Sequence, residues 1–81
     1  MDTSNIISSA RIEGYRITRY LGVIYSGPFA SYQGLLDDVV NQGNLLGADW
    51  VVSFFPQSTT SKSRANRPFT GFGTAVMASP Q

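Results

Sequence analysis

Neither cysteine nor histidine occurs in this chain of 81 residues, and that double absence constrains it more than any other feature. A chain of this length holds one domain at most and buries only roughly 60–65% of its unfolded surface. Its own core is therefore thin. Chains this small usually gain stability from disulfides, a structural metal or association. Without cysteine the first route is closed. Without cysteine and histidine, zinc, iron–sulfur and haem sites lose their usual ligands, so no metal site and no cofactor is expected. Ser-His and Cys-His nucleophile pairs are excluded for the same reason. Association with copies of itself is the route that remains, and an enzyme is not expected.

Composition supports a folded, associating chain. It is 42% hydrophobic and 14% charged, against a usual charged fraction of about 25%. Disordered chains show the reverse balance. Four Tyr, five Phe and one Trp are too many to hide in one small core. Some should line an interface or a ligand pocket. The net charge of +1 gives no global nucleic-acid signal, and nucleic acid is not an expected partner. Its distribution is uneven. Residues 1–49 carry three Arg against one Glu and four Asp, whereas Lys62, Arg64 and Arg67 follow with no acid beside them. Met1 to Asn5 lacks the basic and apolar regions of a secretory signal. No apolar run approaches the ~18 residues of a membrane span. The cytoplasm is the expected compartment, with no membrane partner.

The residue pattern predicts a β-α-β-β order. Residues 1–12 read as a tail or a short docking strand around Ile6-Ile7, residues 13–78 as a single domain, and residues 79–81 as a C-terminal tail. Tyr15 to Tyr25 is rich in β-branched and aromatic residues and reads as a strand. Strict alternation puts Tyr15, Ile17, Arg19, Leu21, Val23 and Tyr25 on one face. Gly22 within it suggests a bulge. Ser26-Gly27-Pro28 reads as a break. Ala30 to Leu46 has helical spacing of apolar residues, with a split at Gly43 open and Gly47 as the stop. Trp50 to Phe55 is a nearly all-apolar run suited to a strand covered on both faces, ended by Pro56. Gln57 to Pro68 is a polar loop. Phe69 to Ala78 is the last strand, with Gly71 and Gly73 read as aids to tight strand packing.

Four segments resemble a known family. Glu13-Gly14-Tyr15-Arg16-Ile17, Tyr20-Leu21-Gly22-Val23-Ile24, Leu46-Gly47-Ala48-Asp49-Trp50-Val51-Val52 and Gly73-Thr74-Ala75-Val76 look, in that order, like the YbjQ-like family of small bacterial and phage-borne domains. The family carries a heavy-metal-binding label. The resemblance implies an α+β fold, a dodecin-like β-α-β-β subunit that assembles into a pentameric ring. The segment between Ser26 and Leu46 is shorter and less charged than in the family, so the helical layer should be reduced.

The chemistry points to binding. Asp37 and Asp38 are adjacent on a helix and diverge by about 100°, which suits a solvated face better than a shared metal. Asp49 follows a helix-to-strand turn and should accept backbone N–H bonds there. Gly71-Phe72-Gly73 precedes no helix and is not a phosphate loop. The polar loop is the best candidate, because Lys62, Arg64 and Arg67 sit among hydroxyl side chains that suit phosphate or carboxylate. Trp50 lies on a strand flanking this loop, Tyr25 with Ser26 ends the first strand, and Arg19 on an apolar face calls for an anionic partner. The expected ligand-binding set is Arg19, Tyr25, Ser26, Trp50, Lys62, Arg64 and Arg67. The expected function is a non-enzymatic homo-oligomer that binds or sequesters a small anionic, nucleotide-like ligand between subunits. The alternatives are a structural or protein-interaction ring without ligand, and a metal-binding ring as the family label suggests.

Overall fold

The computed structural model describes residues 1–58 and 68–81, and the predicted site residues Lys62, Arg64 and Arg67 lie outside the described residues. The chain is an α+β domain with one helix and a three-stranded antiparallel sheet. Strand β1 spans Tyr15–Phe29, helix α1 Tyr32–Leu45, β2 Trp50–Ser58 and β3 Phe69–Pro80. The sheet order is β1-β3-β2. Because β1 and β2 each run antiparallel to β3, they run parallel to one another, and α1 crosses one face of the sheet to join them.

Helix α1 forms for local reasons. Ser31 caps its start, with the Ser31 hydroxyl accepting from the Gly34 N–H at 3.0 Å. Leu35, Val39 and Gly43 recur every four residues and are the buried stripe. Burying a side chain such as Leu35 contributes about 1.5–3 kcal/mol. At the other end Ala48 N–H donates to the Gly43 carbonyl at 2.9 Å and Gly47 N–H to Asn44 at 3.0 Å. These two bonds make a Schellman stop, with Gly47 at φ +76°. The helix runs through Gly43 unsplit, and the Met1 side chain packs where a side chain at Gly43 would lie.

The strands are longer than their punctuation predicts. β1 continues through Ser26-Gly27-Pro28, which shifts the register to β3 between Ser26 and Phe29 but does not end the strand. β1 is an outer strand of the sheet, so a proline without an N–H is tolerated there. The same reason lets β2, the other outer strand, run through Pro56, which pairs with Gly71. The predicted alternation of β1 also fails. Register shifts at Ile17/Arg19 and Tyr20/Gly22 each insert a residue, so Arg19 leaves the face of Ile17 and Tyr20 takes it, and the second shift returns Val23 and Tyr25 to the face that alternation gives them. Gly22 does mark a bulge.

Two small cores form, one on each face. Under α1 lie Ile24, Val51, Phe54 and Ala75 with Leu35 and Val39. On the opposite face Ile12 covers Val52 and Val76, with Ile7, Ile17 and Trp50 around them. The run from Trp50 is thus covered on both faces at Val51 and Val52, whereas Ser53 and Phe55 are exposed. The cover on the second face comes from the N-terminal segment. Its Ile6-Ile7 pair docks beside β2, Ile6 joining one core and Ile7 the other. A bulge in β2 at Ser53, φ +54°, turns two amides outward to meet it. Ser53 N–H donates to the Ser9 carbonyl and Phe54 N–H to Ile7, both at 2.9 Å.

Candidate functional site

Cross-strand partners share a face of a sheet, so the register defines what the face away from α1 displays. One row is Tyr25, Phe72 and Phe55, the next Val23, Thr74 and Val52, the next Tyr20, Val76 and Trp50. The N-terminal segment covers only the last part of this face, through Ile7 and Ile12. The remainder is open. Tyr20 is 68% exposed, Val23 76%, Tyr25 58%, Phe55 55% and Phe72 42%. The Phe55 and Phe72 rings lie 5.7 Å apart at 38°. This is an aromatic surface built by strand register.

Beside it runs a groove of about 480 Å³, within the range of small-molecule sites. Its lining includes Arg11, Glu13, Tyr15, Arg16 and Tyr20. The wall is pinned at both ends. Tyr15 N–H donates to the Ile12 carbonyl at 3.1 Å, and Gln81 N–H to Gly14 at 3.0 Å. Ile12 is buried and anchors it from below. Tyr15 is held against Trp50 with centroids 5.4 Å apart.

The predicted set is not brought together among the described residues. Tyr25 lies on the open face. Ser26, its neighbour, points the other way and is 2% exposed. Its hydroxyl donates to Asp38 Oδ2 at 2.5 Å. Gln42 Nε2 donates to the same oxygen at 2.7 Å and to the Tyr25 carbonyl at 3.0 Å. Ser26 is thereby committed to fastening α1 to β1 and is not free for a ligand. Trp50 is half-buried in the second core and supports Tyr15. Arg19 is exposed, because the bulge before it removes it from the apolar face on which strict alternation places it.

The two adjacent aspartates divide as their angular offset requires. Asp37 is exposed and accepts from Gln33 Nε2 at 2.8 Å. Asp38 is half-buried, so the solvated-face reading holds for Asp37 only. The missed signal was its spacing: three residues after Leu35 and four before Gln42, on the inward side. Asp49 accepts from the Ala78 N–H of β3 at 3.2 Å, and not from its own turn. Arg11, Arg16 and Tyr20 were not singled out by sequence, since only folding places residues 10–17 around one groove. Among the described residues no group of three or more acidic side chains lies close enough to hold a metal ion. Among them no helix is long and apolar enough to cross a membrane.

Fold and site together define a small α+β module with an open aromatic sheet face and an adjoining groove lined by charged and aromatic residues. Compared with known proteins, the chain matches no protein-family model and no curated protein.

Proposed function

We propose that the protein is a non-enzymatic homo-oligomeric binding module that joins copies of itself through the open sheet face and takes a small anionic ligand beside that contact. One observation carries the reading: Tyr20, Val23, Tyr25, Phe55 and Phe72 share the face that α1 leaves uncovered. The four aromatic side chains offer roughly 200 Å² each and Val23 somewhat less, so at their exposures the five present on the order of 500–600 Å². That is the upper end of what a monomer displays, and most of the roughly 800 Å² that one partner contributes to a stable interface. Thr74 and Gln57 on the same face extend it. Association by the face is favoured over pairing along β1, because the bulges of that outer strand interrupt a continuous row of backbone partners. The β-α-β-β order and the resemblance to the YbjQ-like family support the expectation that the assembly is a ring.

Native mass spectrometry and light scattering at micromolar concentration test this. The expected mass is a whole multiple of 8.8 kDa above one. The Phe55→Ser/Phe72→Ser variant should fall to a single subunit with an unchanged far-ultraviolet circular dichroism spectrum. A parent protein that stays at one subunit at 100 µM, or a variant that assembles as the parent does, refutes the reading.

A further inference from the structure

We propose that the groove between residues 10–14 and the start of β1 binds a nucleoside monophosphate, or a ligand with the same three parts: a flat ring, hydroxyl or amino donors and one phosphate. The inference rests on the binding-module reading above and names its site and ligand class. Each part of such a ligand has a counterpart among the lining residues. Arg11 and Arg16 supply two guanidinium groups, the side chains best shaped for bidentate phosphate bonds. Tyr15 and Tyr20 supply aromatic surface on which a base can stack. Glu13 supplies acceptor oxygens for ribose hydroxyls or an exocyclic amine. The two guanidinium groups stand against the Glu13 carboxylate and the backbone carboxylate of Gln81, so the groove holds no surplus positive charge for more than one phosphate and disfavours a triphosphate.

The size fits as well, since about 480 Å³ is room for a nucleotide with water around it. The groove is also preformed. Its wall is fixed by the Tyr15-to-Ile12 and Gln81-to-Gly14 backbone bonds, and Tyr15 is backed by Trp50. A preformed site avoids much of the ordering cost of binding. Tyr20 belongs both to the groove and to the open sheet face. A ligand stacked on Tyr20 therefore sits at the seam where a second copy docks, which couples ligand binding to assembly.

Amide-resolved NMR titration of the full chain with adenosine monophosphate tests the site, with adenosine and inorganic phosphate as partial ligands. The expected shifts fall on residues 10–17, Tyr20 and Gln81. Adenosine and phosphate should each bind at least tenfold more weakly. The Arg11→Gln/Arg16→Gln variant should lose at least tenfold in affinity while the amides of β2 and β3 keep their positions. Shifts confined to other residues, equal affinity for adenosine, or undiminished binding by the double variant overturn the inference. Light scattering on the same samples reads assembly separately. A monomer that binds in the groove removes the homo-oligomer and keeps the site, and an oligomer with a silent groove does the reverse.

Discussion

Replacing Gly73 by alanine tests the packing of the sheet under α1. A methyl group there would lie 2.7 Å from Val51 Cγ1 and 3.3 Å from both Phe54 Cα and the Val52 carbonyl oxygen. Comfortable carbon–carbon contact is about 3.5–4.0 Å. Val51 is fully buried and β-branched, so its side chain has no alternative position. The two further neighbours are backbone. Overpacking of this kind costs about 1–3 kcal/mol. The lost freedom of the unfolded glycine returns about 0.4–1 kcal/mol. The net expectation is a loss of about 1–2 kcal/mol, or a fall in Tm of about 5–15 °C for a domain of this size. Thermal melts are run at one protein concentration, so that the proposed association cannot enter the comparison. A double-mutant cycle gives the sharper result. In the Gly73→Ala background, Val51→Ala makes room for the new methyl, so its own cost should shrink by at least about 1 kcal/mol. Additive effects, or a Gly73→Ala protein that melts at or above the parent, refute the reasoning.

The remaining predictions concern the helix anchor and the N-terminal turn. Ser26→Ala removes a buried hydroxyl that donates to Asp38, a charge-assisted bond worth about 1.5–3 kcal/mol. Denaturant melts should show a loss near the lower figure, since Asp38 is only half-buried and keeps Gln42; no loss would mean the bond does not fasten α1. Asp2 has its carboxyl held below the usual 3.8 by hydrogen bonds from the Ser4 hydroxyl first and the Ser4 N–H second. A depressed folded value means stability that is present above pH 3.8 and is lost as pH falls through the lowered value. The stability gap between the parent and Asp2→Asn should be constant near neutral pH and close only in acid; a gap that opens in acid contradicts the assignment.

Local punctuation was a good guide to the helix and a poor guide to the strands. Ser31, the four-residue spacing of Leu35, Val39 and Gly43, and Gly47 act within a few residues of chain, so the helix Tyr32–Leu45 is legible as a helix over Ala30–Leu46. Pro28 and Pro56 read locally as terminators. Both stand in strands that continue, because each lies in an outer strand of the sheet, where a missing N–H is tolerated. Whether a strand is outermost is a property of sheet order, which one segment does not carry. Alternation in β1 fails for a related reason. The shift after Ile17 flips the residues up to the next one, and of the three register shifts in β1 it is the one without a visible mark, whereas Gly22 and Gly27-Pro28 mark the other two. Arg19 is misplaced by this logic, whereas Ser26, read as the end of the strand, lies inside it and is buried on the side of Ile24.

The residues alone determined the element order, the α+β class, and the presence of more aromatic surface than one core can hold. Those properties depend on composition and on contacts near in sequence. Tertiary structure alone decided which aromatics stay uncovered. Tyr25, Phe72 and Phe55 form one row only because β1 and β2 flank β3 in this register. It also decided that residues 1–12 cross the β2 edge and cover half of the second face, leaving the groove at Arg11, Arg16 and Tyr20. The physical reason is common to both. Backbone pairing brings together residues dozens of positions apart, and no local preference states which edge a strand will meet.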